Sequence, residues 1–392
     1  MHTTESVIGK LLEYCQRNDW SGYDPYDALN SELFKTLPFL NFKLFRLGMT
    51  QMLKRFPINF RRILLIPSTQ NPKGLAIILT ALLRLSKVGF RCEETIETIA
   101  EKLIAMRSPH SRYWCWGYSF PWQTRTILVP RSAPNLVCTT FVGNALLDIF
   151  QDNSDPRYLE VAVNAAEYIL NELIWTESDG TASLSYPLPS SRSLVHNANF
   201  LGAAFLSRVY QLSGEDKFLG PALKIARYSA ARQHEDGSWY YGELPHQRWV
   251  DNFHTGYNLN ALRSVQEYTG ITEFEFHLRV GFEFYRKSFF RHDAAPKYFH
   301  NRTYPIDIHS VAQSIITLQT LKDLDENNTL LAHAVFKWAV GNMWDKRGYF
   351  YYQSFPFFTN KIPYMRWSQA WMLLALSMLL EESAPKLDPE RE

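Results

Sequence analysis

Along this chain, apolar residues gather in runs of helical length that alternate between two kinds. In one kind nearly every position is apolar, as at residues 75–85 and 371–380. In the other, one stripe recurs at helical spacing: Leu159, Ala162, Ala166, Ile169 and Leu170 within residues 158–173, and Leu219, Leu223, Ala226 and Tyr228 within residues 217–232. Residues 273–290 and 330–344 repeat the second pattern. A helix that is apolar all round is buried all round, whereas a striped helix covers a core with one face. Their alternation predicts helical hairpins, each with a buried inner helix and an amphipathic outer one.

A polar cluster precedes each inner run. His196-Asn197-Ala198-Asn199, Asp251-Asn252-Phe253-His254 and Asp307-Ile308-His309-Ser310 are plain copies, and their polar leaders Asn197, Asp251 and Asp307 lie 54 and 56 residues apart. Weaker copies stand at residues 139–144 and 365–370, and a further run begins at Gly74, with an inserted aromatic loop at residues 112–125 accounting for the longer interval. Six starts, near 74, 139, 197, 251, 307 and 365, predict six hairpins repeated in sequence. No polar capping repeat marks either end, which favours closure into an all-α (α/α)6 toroid over an open solenoid. Residues 1–72 are expected to supply a lead-in and outer helix, residues 73–382 the toroid core, and residues 383–392 a frayed tail.

Between outer and inner helices lie short aromatic segments opened by Gly or Pro. Residues 237–241 (Gly-Ser-Trp-Tyr-Tyr) and 348–352 (Gly-Tyr-Phe-Tyr-Tyr) nearly repeat each other, and residues 183–187 and 296–300 occupy equivalent places. These read as strand-like loops around one mouth of the ring. Aromatic residues make up 15% of the chain, with 11 Trp, 21 Tyr and 26 Phe. Aromatic faces suit the apolar faces of sugar rings, so Trp114, Trp116, Trp239, Tyr240, Trp249, Tyr304 and Tyr364 are candidate sugar contacts; packing within the loops is the competing explanation.

Composition narrows the partners. With 41 basic and 39 acidic residues the formal charge is +2 and no long single-sign run stands out, so charge makes no case for nucleic acid or an anionic membrane as a partner. The longest apolar stretches are too short to span a bilayer, and the N-terminal sequence lacks the basic and apolar regions of a signal peptide. Four scattered cysteines, Cys15, Cys92, Cys115 and Cys138, have no metal-ligand or disulfide-framework spacing and suit reduced thiols in a cytoplasmic protein. Oligomeric state is left open. There is no phosphate-binding glycine loop and no G-x-S-x-G elbow, and no cofactor is expected.

The polar clusters are the candidate chemistry. An Asn or Asp before an apolar run is ordinarily a helix N-cap, and a cap needs one residue per helix. Capping does not explain the extra histidines His196, His254 and His309, nor Asn252 beside Asp251. Asp251, His254, Asp307 and His309 are suitable metal ligands but form no compact metal motif, and no metal is expected.

Several strings resemble a poorly characterised bacterial α/α-toroid family whose members occur with surface-polysaccharide genes. They are residues 114–118 (Trp-Cys-Trp-Gly-Tyr), 138–144, 196–199, 236–243, 248–256 and 304–310. The resemblance covers residues 110–380 and implies a toroid acting in polysaccharide biosynthesis. More distantly the chain is similar to sugar epimerases, uronate lyases and unsaturated-glucuronyl hydrolases. Squalene-cyclase-like toroids share the packing pattern of Gln233, Gly237 and Trp239, but their aspartate-rich acid motif is absent, which argues against terpenoid cyclisation.

These readings converge on a carbohydrate-active enzyme that abstracts a proton next to a carboxylate or carbonyl of a uronate-containing saccharide, as an epimerase or lyase. His254 and His309 are the expected acid/base pair, oriented by Asp251 and Asp307. His196, Asn197, Asn199, Asn252 and Arg366 are expected to bind substrate, with Asn197, Asn252 and Arg366 suited to its carboxylate. One alternative is a glycoside hydrolase using Asp251 and Asp307; another is a non-catalytic glycan-binding protein.

Overall fold

The computed structural model describes residues 3–37, 39 and 41–383. The chain opens with α1 (Thr4–Arg17), followed by a short α2 (Glu32–Lys35) and α3 (Lys43–Arg55). Eleven helices then alternate between inner and outer positions, and the twelfth position, the last outer one, is filled from the N-terminus. The inner helices are α4 (Pro72–Lys87), α6 (Leu136–Asn153), α8 (His196–Ser213), α10 (Asn252–Thr269), α12 (Ile308–Thr320) and α14 (Ala370–Ser383). The outer helices are α5 (Glu93–Ala105), α7 (Pro156–Tyr168), α9 (Leu219–Ala230), α11 (Glu275–Phe289) and α13 (Asn328–Met343). Each inner helix packs on the next, α14 packs on α4, and α1 packs on α14 as the sixth outer helix. The ring is therefore closed, an (α/α)6 toroid. Of the tail, Ser383 ends α14 and the rest lies outside the described residues.

Local chemistry starts and stops these helices where the sequence suggests. Asn71, Asn135, Asp251 and Asp307 are N-caps whose side chains accept backbone N–H bonds from the first turn. Gly214 and Gly270, both at φ 71°, end α8 and α10 in the left-handed conformation that glycine adopts without penalty. The caps also correct the register of the repeat. Helix α8 begins after Val195, which makes no side-chain cap bond, so Asn197 sits two residues inside its helix and is not the equivalent of Asp251 and Asp307.

Counted from the caps, two residues in, the inner helices present Lys73, Val137, Asn197, Phe253, His309 and, after Tyr364, Arg366. Six residues in come Ile77, Phe141, Leu201, Tyr257 and Gln313. In the last repeat a π-turn, Met365–Gln369, inserts one residue, so Trp371 completes that layer. All six of these residues line the upper end of a cavity of about 270 Å³ that runs toward the C-terminal ends of the inner helices. The layer marks the N-terminal end of this well, and the starts of the inner helices with their polar clusters, called the mouth below, lie beyond it.

Strand structure is sparse and local. Ile174–Thr176 pairs with Ala182–Leu184, and Trp344–Asp345 with Tyr349–Phe350. The expected strand at residues 237–241 is absent; only Gly242 bridges to Val195. The reason is Trp239, whose ring leaves the loop for the core, edge-on to Phe200 with its indole N–H donated to Ser229 O at 3.0 Å.

Candidate active site at the N-terminal mouth

Asp251 caps α10 through Oδ1 and His254 N (2.9 Å), while its Oδ2 accepts from Trp249 Nε1 (2.8 Å) and lies 2.7 Å from His254 Nδ1. One carboxylate thus holds both ring systems. The Trp249 ring stacks on Tyr241 at 4.5 Å and 10°, and Tyr241 lies 4.6 Å from the His254 ring. The His254 side chain keeps 20% exposure, and its Nε2 has no hydrogen-bond partner among the described residues. It is the only histidine of the three polar clusters whose ring is not buried.

One turn further along α10, Tyr257 shares a 2.6 Å hydrogen bond with His309 Nε2. Its ring centroid is 6.1 Å from that of His254. His309 is buried between Phe253, Trp367 and Trp371, with ring centroids at 4.7, 4.6 and 4.6 Å, and its Nδ1 has no partner. Burial, with Lys73 and Arg366 nearby, pushes its pKa well down, so the ring is neutral. Burial likewise pushes Tyr257 well up, keeping the phenol protonated. His309 therefore stands behind Tyr257 rather than beside His254 at the opening.

Asp307 differs from its expected role. Its Oδ1 accepts from His309 backbone N (2.9 Å) and Trp367 Nε1 (3.0 Å) and its Oδ2 from Gln353 Nε2 (2.7 Å), with no bond to the His309 ring. Burial raises its pKa to about 6.

The cationic side of the mouth is richer than the sequence suggested. Arg366 is neutralised by a bidentate pair with Asp24, Nε–Oδ2 2.6 Å and Nη2–Oδ1 2.8 Å, from the loop after α1. Lys73, 4% exposed, has no such partner. Its Nζ lies 4.2 Å from the Phe141 ring centroid and 5.4 Å from those of Tyr257 and Trp371, with no acceptor among the described residues. Burial first, and then the neighbouring Arg366, push its pKa well below that of a free lysine. The amine is thus unpaired and shielded from water at the start of α4, which disfavours its charged form.

The remaining candidates serve the scaffold. His196 is buried, with Nδ1 3.2 Å from Ser229 Oγ and Nε2 2.7 Å from Glu243 Oε1. Asn199 accepts from Ser183 Oγ and Leu184 N, tying the Ala182–Leu184 strand to α8. Asn252 joins Ser314 and Tyr285 across α10, α12 and α11. Trp116 is fully buried, its indole donating to Leu103 O, and Tyr364 is buried under Arg61 at 4.8 Å. Trp114 packs by Arg107 and donates its backbone N–H to Asn164 of α7; Tyr304 is held by Arg291, and Tyr240 by His234. Of the expected residues, Trp249, Asp251 and His254 stand together, His309 lies behind Tyr257, and Asp307 and Arg366 adjoin His309 through Trp367; Asn197, two residues inside α8, has a buried, unpartnered Oδ1. Sequence reasoning missed Lys73, Asp24, Tyr241 and Tyr257. Lys73 was legible as the counterpart of His309, each two residues past a cap. Among the described residues no group of three or more His, Cys, Asp or Glu gathers as for a metal ion.

No family model and no curated protein matches this chain. Solved structures share its fold. It is similar to the cellobiose 2-epimerase of Bacillus thermoamylovorans B4167, 10% identical over 80% of this chain and 88% of that one, with a TM-score of 0.62. A polysaccharide lyase is similar over 97% of this chain and 98% of its own, at 10% identity and a TM-score of 0.61. The GH76 alpha-mannanase of Bacteroides thetaiotaomicron follows at 10% identity, 80% and 85% coverage and a TM-score of 0.60. What these proteins share with the chain at such identities is the α/α toroid, the fold its helical period predicts.

Proposed function

We propose that the N-terminal mouth is the active site of a carbohydrate-active enzyme that removes the proton next to a carboxylate or carbonyl group of a saccharide. The carrying observation is a pair of proton-transfer groups one helical turn apart, His254 held by Asp251 and Tyr257 backed by His309. His254 Nε2 takes the proton, and the Asp251 carboxylate at 2.7 Å stabilises the imidazolium that forms. Lys73 binds the substrate carboxylate into which the electron pair delocalises. Tyr257 gives its proton either to the opposite face of the carbanion, which inverts the centre, or to the departing glycosidic oxygen, which yields an unsaturated uronate. His309 then shares the charge left on the phenolic oxygen. The stacked Tyr241–Trp249 pair offers an aromatic wall for a sugar ring. The epimerase and lyase among the structural neighbours lend this reading support in fold. A hydrolase reading is less favoured, because every oxygen of Asp251 and Asp307 is already engaged by protein donors.

Incubating the protein in heavy water with a panel of uronate-containing oligosaccharides tests the proposal. Deuterium in the sugar without cleavage identifies an epimerase, and ultraviolet absorbance from an unsaturated uronate identifies a lyase. Release of reducing ends with neither signal would favour the hydrolase, and binding without reaction a glycan-binding protein. Within this reading, Lys73→Met is expected to lower kcat/KM for uronates about ten- to a hundredfold, the worth of a charged hydrogen bond, and to leave binding of the neutral parent sugars unchanged. The pH dependence has a defined sign. A bound carboxylate raises the depressed pKa of the Lys73 ammonium, so binding takes up a proton and affinity falls as pH rises. Wild-type affinity for uronates that does not weaken with pH, or a Lys73→Met variant with unchanged kcat/KM, removes Lys73 from the site.

A further inference from the structure

Away from the mouth, the surface carries an unusual concentration of apolar side chains. Nine of the fifteen exposed large hydrophobic residues among those described fall within residues 33–65. Phe39, Leu44 and Ile63 are 73%, 75% and 74% exposed. Two more sit on the turn at Phe357 and Phe358, with Phe357 98% exposed. That turn adjoins the region, since Asn360 Nδ2 donates to Phe56 O at 3.2 Å. Helix α3 shows why the face is left open. It buries Thr50 and Leu53 against its own small core of Ala28, Leu53 and Ile66, and turns Leu44 and Met52 outward. Monomeric proteins rarely leave so much apolar surface together without a use for it.

Charge indicates what that use is. Between Glu32 and Glu93 the chain has eleven Lys or Arg residues and not one Asp or Glu. Lys43, Arg55 and Arg62 are exposed among the apolar side chains, and Lys35, also exposed, is paired with Glu32 at 2.6 Å. The chain-average charge of +2 conceals this asymmetry, because the acidic residues lie elsewhere. A protein partner's apolar groove would match the hydrophobic side chains but would not require the exclusion of every carboxylate. An anionic bilayer surface requires both features: apolar side chains enter the boundary between headgroups and acyl chains, and lysine and arginine meet the headgroup phosphates.

We propose that residues 33–65, with the Phe357–Phe358 turn, form a docking surface for a bilayer carrying anionic lipids. The attachment is peripheral; no helix among the described residues is long and apolar enough to cross a membrane. The face is tied to the Asp24 loop through Arg61, which donates to Asp24 O at 2.8 Å.

Flotation with vesicles tests this. The intact chain is expected to bind vesicles of equal parts phosphatidylcholine and phosphatidylglycerol about tenfold or more tighter than phosphatidylcholine alone, and to release as salt is raised. A Leu44→Glu/Ile63→Glu variant and a Lys43→Glu/Arg55→Glu variant are each expected to lose about tenfold in binding while their circular dichroism and thermal unfolding stay those of the wild type. Equal or absent binding to the two vesicle types overturns the proposal, as does binding that neither variant weakens. A wild-type oligomer that Leu44→Glu/Ile63→Glu dissociates, with no vesicle capture, overturns it in favour of self-association through this face.

Discussion

Replacing His254 with alanine is expected to lower kcat by about 10²–10⁴-fold, the usual contribution of a positioned acid or base, with little change in KM or in thermal stability. The stability clause follows from the geometry. His254 is the one cluster histidine with solvent access, and removing its imidazole leaves the Asp251 Oδ2 still accepting from Trp249 at 2.8 Å and Oδ1 still capping α10. His254 is expected to carry the rate because, among the described residues of α10, its Nε2 is the one unpartnered basic nitrogen within a helical turn of Tyr257. His309→Ala and Tyr257→Phe should also lower kcat. His309 lies inside an aromatic packet, so its loss should reduce stability as well, and a conservative His309→Gln variant separates the two effects. A His254→Ala enzyme with unchanged kcat, or one altered in KM alone, would remove His254 from the chemistry and leave the mouth as a binding site.

The second large effect is structural. Asp24→Ala is expected to destabilise the fold by about 3–5 kcal/mol, because it strands a buried guanidinium whose only carboxylate partner is Asp24. Lys73 and His309, which feel the Arg366 charge, offer it no compensating negative charge. The same carboxylate loop also supports Arg61, which donates to Asp24 O at 2.8 Å and to both oxygens of Asp27 at 2.8 and 3.0 Å. Chemical denaturation reads the loss, and the double variant Asp24→Ala/Arg366→Met should recover part of it, since no unpaired charge then remains buried. If Arg366 were instead free to hold the substrate carboxylate, Asp24→Ala would leave stability near wild type and change substrate affinity alone. That result would return Arg366 to the substrate-binding role its sequence position first suggests.

How legible this molecule is from sequence differs between its parts. The helical period, the alternation of all-apolar and striped runs and the Asn and Asp caps are local properties, and each is written in consecutive residues. They predict the toroid because a buried inner helix and a covering outer helix leave only a few ways to pack. The register of the repeat is subtler. Asn197 looks like the partner of Asp251 and Asp307, yet Val195 starts α8, so equal spacing in sequence does not mean equal depth in the mouth. The π-turn before α14 shifts its repeat by one residue in the same way. The aromatic loops were the least legible. Whether a tryptophan meets solvent or core depends on what stands opposite it, and Trp116 and Trp239 both found backbone carbonyls to accept their indole protons inside.

Local patterning sets the number of hairpins, their inner and outer order and the end of the ring at which the polar clusters lie. Which of those polar groups are spoken for depends on contacts across the closed ring. Arg366 is neutralised by a carboxylate 342 residues away, Asp307 by donors 46 and 60 residues away, and His196 by Glu243 at a distance of 47. Among the described residues His254 Nε2, Lys73 Nζ, His309 Nδ1 and Asn197 Oδ1 remain unpaired, and those long-range partnerships define that set. Pairing and burial set a side chain's charge and reach, and both belong to the closed ring rather than to any stretch of the chain.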